Sequence, residues 1–206
     1  MKPKIILASQ SPRRRELLAL VTKDFEIQVP EINEKIIENR ILQNREDDFL
    51  VTAKKLVLEL ASRKATIIHK INPSALVIGA DTVVVLNDKI LGKPIDAIDA
   101  YNMIKKLSGN THQVLTGVSI KYGKVEDQFV SVSQIKFYEW NEQMQREVAA
   151  YVSSGKANDK AGGYGIQEEA GLWVKWIKGD YNNIVGLPIA KLNKRLNRLL
   201  DLIQNI

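Results

Sequence analysis

The sequence predicts a mixed α/β or α+β fold of interleaved strands and helices. Three observations predict it. Short apolar runs such as 5–8 and 75–86 read as buried strands. They are interleaved with longer stretches, such as 47–71, whose apolar residues recur at helical spacing. The alternation is not a strict β-α-β repeat, because hairpin signals interrupt it.

Each element follows from its residues. Residues 5–8 form a strand, and Ser11 followed by Pro12 opens a helix to about Val21. Residues 25–29 read as a second strand. The stretch 47–71 is a long amphipathic helix, with Leu50, Ala53, Leu56, Val57, Leu60 and Ala61 on one face. Residues 75–86 are a central apolar strand, and Asn87-Asp88 turns it back into Lys89-Ile90-Leu91. A helix over 97–107 ends at Ser108-Gly109. Residues 113–122 and 127–138 make a hairpin joined near Gly123. A helix over 142–152, a strand over 172–177 and a helix from Pro188 to about 203 complete the chain. No repeat, low-complexity tract or linker divides it, and its 206 residues fit one large domain or two small lobes sharing a sheet.

Composition narrows the chemistry. The chain has no cysteine, which excludes disulfides, thiolate metal sites and a cysteine nucleophile, and fits a reducing cytoplasm. His69 and His112 are its only histidines, so any metal would be a hard cation on carboxylate and phosphate oxygens. The apolar run after Met1-Lys2-Pro3-Lys4 is too short for a signal peptide, and no stretch approaches a membrane span. Lysine and arginine number 30 against 24 acids, a net charge of +6 that suits an anionic partner, phosphorylated metabolite or nucleic acid.

Five segments carry chemistry. In Ser9-Gln10-Ser11-Pro12-Arg13-Arg14-Arg15, a strand ends and a helix begins within a few residues. The free N–H groups of such a first turn bind anions, and Ser9, Ser11, Arg13 and Arg14 add hydroxyl and guanidinium donors. Basic residues there oppose the helix dipole, and a bound polyphosphate explains them better than a plain capped helix does. In Gly79-Ala80-Asp81-Thr82, a carboxylate interrupts an apolar run. Asp81 is expected at a strand end, facing a cation or water; it holds a divalent ion, activates water, does both, or marks a structural bulge. In Leu91-Gly92-Lys93-Pro94, a short loop holds a lysine that could meet phosphate. Lys64 lies close to the apolar face of its helix, where it either snorkels, the reading favoured by the pattern, or aims its charge into a cleft. In 159–167, three glycines in four residues allow close backbone approach to a ligand, and the Gln167 carboxamide suits a base edge.

Taken in order, these segments, with Lys105-Lys106-Leu107-Ser108-Gly109, Gly179-Asp180-Tyr181 and Val185-Gly186-Leu187-Pro188, resemble the Maf family of nucleotide pyrophosphatases over nearly the whole chain. The resemblance implies one Maf-like domain over 1–206 with an elongated central mixed sheet flanked by helices, two lobes with a cleft between them, a homodimer, and a divalent cation, Mg²⁺ or Mn²⁺. It implies hydrolysis of a nucleoside triphosphate between the α- and β-phosphates. It implies catalytic roles for Asp81, Lys64 and Lys93, metal binding by Asp81 and Glu34, and substrate binding by Ser9, Arg13, Arg14, Thr82 and Gln167. Arg13 and Thr82 resemble the branch acting on dTTP and UTP; the 7-methyl-GTP branch carries an aromatic residue and Gln there. The chain departs from the family pattern at Asn33-Glu34, where two acids are frequent, and at Glu168, where glycine is frequent.

The rival reading is a basic nucleic-acid-binding protein or division factor using 13–15. It lacks an RNA-recognition aromatic motif and a helix-turn-helix, so nucleic acid is not the expected partner.

Overall fold

The first strand, β1 (Ile5–Ala8), is buried along its whole length, as a strand covered on both faces must be. In the computed structural model, residues 3–204 are described; Met1, Lys2, Asn205 and Ile206, which belong to the expected 1–206 span, lie outside them. Helix α1 (Pro12–Val21) starts where the sequence places it, with Ser11 as N-cap and Pro12 in the first turn. Strand β2 is only Glu26–Ile27, shorter than the expected 25–29.

A helix that was not anticipated follows, α2 (Glu34–Gln43). The side chain of Asn33 caps it by accepting from the Ile36 N–H at 3.2 Å. Helix α3 (Phe49–Ile71) is capped by Asp48, and its buried face runs Ala53, Leu56, Val57, Leu60, Ala61, Lys64, Ala65 and Ile68. Strand β3 (Leu76–Leu86) turns through Asn87 and Asp88, both at positive φ, into β4 (Lys89–Leu91).

Helix α4 (Ala97–Leu107), strands β5 (Thr111–Tyr122) and β6 (Val125–Phe137), and helix α5 (Glu142–Ser153) fall within two residues of expectation. Strand β7 is Val174–Lys178, because Leu172 and Trp173 belong to a preceding 3₁₀ turn. A short helix, α6 (Tyr181–Val185), precedes α7 (Ile189–Gln204). Pro188 stands just before α7 rather than inside it, and its carbonyl accepts from the Leu192 N–H at 2.9 Å.

The strands form one seven-stranded mixed sheet in the order β2-β1-β3-β5-β6-β7, with β4 on β3. β1 pairs parallel with β3, from Ile5 opposite Leu76 to Ala8 opposite Gly79. Two compact units draw on it. The first comprises residues up to 81, 116–131 and those from 186 on. Within it, Ile6, Ala8, Val77, Ala65 and Ile68 make an apolar layer joining α3 to the parallel strands. The second comprises 82–115 and 132–185, with a core built on Ile104, Leu107, Ile135, Phe137, Tyr164 and Trp173.

Two glycines set how closely α3 approaches the strands of the first unit. A Cβ on Gly79 would stand 2.2 Å from the Ala61 carbonyl oxygen, and one on Gly117 would stand 2.4 Å from that of Val57. No larger residue fits either position without moving the helix.

Candidate active site

β3 outruns its neighbour. The pairing with β1 ends at Gly79, and Asp81 comes two residues later, while β3 itself continues to Leu86. Asp81 was expected at a strand end. It lies inside its own strand, and the strand that ends beside it is β1. That register leaves room for a carboxylate within an otherwise apolar run.

Asp81 is 7% exposed, so it needs a partner. Lys64 supplies one. Its ammonium donates to Asp81 Oδ1 at 2.6 Å and lies 2.6 Å from Glu34 Oε1. Lys64 is itself 7% exposed, which corrects the snorkelling expectation: the side chain turns inward to two acids rather than outward to water. The close contact at Gly79 brings α3 near enough for this.

Arg14 joins the same group. Its Nε donates to the Gly186 carbonyl at 2.9 Å. Burial lowers its pKa, while the nearby charges of Asp81 and Glu34 act in the opposite direction and Arg13 adds to the lowering. Glu38 also belongs here, although the sequence reading passed over it. Burial raises its carboxyl pKa first, and the charges of Asp81 and Glu34 add to the rise against the opposing effect of Lys35. Glu38 lies one helical turn after Glu34, so recognising α2 in the sequence would have exposed the pair.

The turn after β1 is ordered by its own serines. Ser9, buried, accepts the Ser11 N–H on its hydroxyl oxygen at 3.1 Å, and the Ser11 hydroxyl oxygen accepts the Arg14 N–H at 3.5 Å. Both hydroxyls keep a hydrogen to donate. Arg13 is half-buried on the first turn of α1, which carries no acid. Such a turn offers donors to an anion.

The remaining expected residues belong to the second unit. Thr82 follows Asp81 directly and is half-buried, while Lys93 and Gln167 are exposed. The loops bearing Lys93 and Gln167 are tied together, because the Gly162 N–H donates to the Gly92 carbonyl at 2.9 Å. Gly162 and Gly163 both take positive φ, as the glycine run predicts.

The donor set near Lys64 fits a hard divalent cation. Two carboxylates converge within reach of one ammonium, and Mg²⁺ commonly takes one or two carboxylates and completes its shell with water and phosphate. Among the described residues there is no cluster of three or more acids or histidines suited to a metal.

The chain matches the family described as Maf-like protein over residues 4–199. It is 44% identical over 187 residues to a dTTP/UTP pyrophosphatase of Bacillus pumilus, covering 91% of this chain and 92% of that protein. It is 42% identical over 195 residues to a dTTP/UTP pyrophosphatase of a Geobacillus species, covering 95% and 97%. A dTTP/UTP pyrophosphatase of Bacillus cereus is 40% identical, with 95% of each chain covered. Among solved structures, that of the Staphylococcus aureus Ham1 protein covers 94% of this chain and 98% of its own, at 10% identity and a TM-score of 0.44, too distant to bear on the chemistry.

Proposed function

The chain belongs to the Maf-like protein family, and from that premise we propose that it is a nucleoside-triphosphate pyrophosphatase acting on dTTP and UTP. The observation that carries the reading is the convergence of Arg14, Lys64, Glu34 and Asp81 in one unit, beside the anion-binding turn at Ser9 and Ser11. Curated relatives at 38–44% identity bear the same activity in their names.

Arg13, Arg14 and the first turn of α1 receive the phosphate chain, with Ser9 donating its hydroxyl. Lys64 and Lys93 balance the charge that builds on the phosphates. Thr82 and Gln167 contact substrate, and Gln167 reads the base edge. Asp81 and Glu34 are the residues that would hold a divalent cation, Mg²⁺ or Mn²⁺, which when bound would supply Lewis-acid charge to the phosphates. A water oxygen attacks the α-phosphorus, the bond from that phosphorus to the α–β bridging oxygen breaks, and pyrophosphate leaves with the bridging oxygen. The proton of the water passes to solvent or to Asp81. Asp81 acts as base, as metal ligand, or as both, and the pH profile of Asp81→Asn separates these roles. Positioning and fixed charge contribute most of the rate.

Residues 1–206 work as one Maf-like domain in this reading, as a homodimer in the cytoplasm. The absence of cysteine fits that compartment, and no described helix is long and apolar enough to cross a membrane. Pyrophosphate release from dTTP, UTP, CTP and 7-methyl-GTP, each with Mg²⁺ and Mn²⁺, tests the proposal. Turnover of dTTP and UTP above the others supports it. Preference for 7-methyl-GTP transfers the chain to that specificity, and salt-sensitive binding of DNA or RNA without turnover of any nucleotide replaces the enzyme with a nucleic-acid-binding protein.

A further inference from the structure

The loop that carries Gln167 is held from inside by an ion pair to which the proposed reaction gives no role. Lys160 is almost fully buried, and its ammonium has three acceptors: the Lys156 carbonyl at 2.5 Å, Asp159 Oδ1 at 2.9 Å and Glu168 Oε1 at 3.1 Å. The second oxygen of Glu168 is also engaged, accepting from the Tyr151 hydroxyl at 2.7 Å. That hydroxyl in turn accepts the Gly165 N–H at 3.0 Å. The backbone closes the ring, since the Glu168 N–H donates to the Gly165 carbonyl at 3.0 Å.

Gln167 therefore sits within a four-residue turn whose two ends, Gly165 and Glu168, are both fastened to Tyr151. The turn has no slack. A Cβ on Gly165 would stand 2.6 Å from Lys160 Cε and 3.0 Å from Glu168 Oε2. Burial raises the Tyr151 pKa first, and its hydrogen bond to Glu168 raises it further, so the phenol keeps the proton it donates. A buried ammonium with three acceptors is a costly arrangement unless each bond is made, which gives the network one geometry rather than several.

We propose that Glu168 is a positioning residue for nucleobase recognition: by joining Lys160 to Tyr151 it fixes the backbone from which Gln167 presents its carboxamide. This rests on the reading of Gln167 as the base contact. Uracil and thymine offer an N–H donor beside a carbonyl acceptor, and cytosine offers the reverse. A carboxamide that can both shift and turn over satisfies either, and a fixed backbone narrows the positions from which it can pair. Glu168 and Tyr151 touch no reacting atom in this scheme.

The test uses Glu168→Gln, Tyr151→Phe and Gln167→Ala in the full chain, with KM and kcat for UTP and CTP and the thermal midpoint of each. Tyr151→Phe keeps the ring in its core site and removes only the hydroxyl, so it reads the network even where Glu168→Gln folds poorly. Both network variants are expected to raise KM for UTP about tenfold and to lower the UTP-to-CTP preference, with kcat changed less than about twofold. Unchanged KM and preference in both, with Gln167→Ala altering them, overturns the proposal. A fall in kcat and thermal midpoint with preference intact also overturns it, because the network is then only structural. No pyrophosphate release by the parent protein, or unaltered UTP recognition in Gln167→Ala, instead refutes the reading on which the proposal rests.

Discussion

The Lys64 ammonium and the Asp81 carboxylate, 17 positions apart on α3 and β3, form a buried ion pair at 2.6 Å, and the same ammonium reaches Glu34. A lone buried charge of either sign would be too costly to keep ionised. Each member of the pair gives the other a partner in a buried place. In the proposed reading, function and stability draw on the same contact, and substitutions there separate them.

Asp81→Asn preserves the shape of the side chain and removes its charge. Glu34 still answers Lys64, so the fold is expected to persist with an unchanged circular dichroism spectrum. Turnover of UTP is expected to drop by about 10³-fold.

Lys64→Met fills a similar volume but takes away the ammonium hydrogen-bonded to Asp81. The expected cost is about 3 kcal/mol in urea unfolding at pH 8, and most of that cost is expected to disappear in the double variant Lys64→Met with Asp81→Asn. Additive losses in the double variant would show that the two side chains are not coupled.

Gly79→Ala places a methyl group where the Ala61 carbonyl oxygen already stands, 2.2 Å away. Either α3 shifts or the strand bends, at an expected cost of about 3 kcal/mol. Because α3 carries Lys64, UTP turnover should fall as well. An unfolding midpoint equal to that of the parent would contradict the close approach of α3 to β3.

His112 is 1% exposed, and its Nε2 lies 2.8 Å from the Tyr164 hydroxyl, with the Phe137 and Tyr164 rings edge-on to it. Burial lowers its pKa from 6.5 to about 3. The unfolded chain thus binds a proton near pH 6.5 that the folded chain refuses. Stability is unaffected above that pH and falls as the pH drops from 6.5 towards 3, by about 3 kcal/mol at pH 4.5. Glu126 acts in a lower window. Burial opposes its charge, but hydrogen bonds from Lys121, Gln128, Ser62 and Ser119 outweigh this and lower its pKa to about 2. Its contribution is complete above the ordinary value of 4.5 and is lost as the pH falls through 2. Urea midpoints between pH 8 and 5, in the parent and in His112→Gln, isolate the histidine: the variant should lose the slope below 6.5.

Much of this was legible in the residues. The 5–8 strand, the Ser-Pro helix start and α4 stood out because caps and apolar periods agree there. α2 did not, because its isoleucines are β-branched and its charged residues mask the period; only Asn33 as a cap and Ile37 as its buried residue show it in retrospect. Glu38 was lost with it. Lys64 on an apolar helix face is ambiguous by spacing alone, since inward and outward lysines share that pattern, and only the register of β3 against β1 puts an acid opposite it. The Glu168 network escaped for a similar reason: its members are scattered from 151 to 168, and nothing in the spacing says that one tyrosine holds both ends of the turn.

Steady-state pyrophosphate release from UTP with Mg²⁺, compared between the parent chain and Asp81→Asn at matched folded concentration, is the most direct measurement. Rapid release by the parent and near-background release by the variant are the predicted result. Equal rates from the two proteins would mean that the acid beside Lys64 takes no part in breaking the phosphate chain.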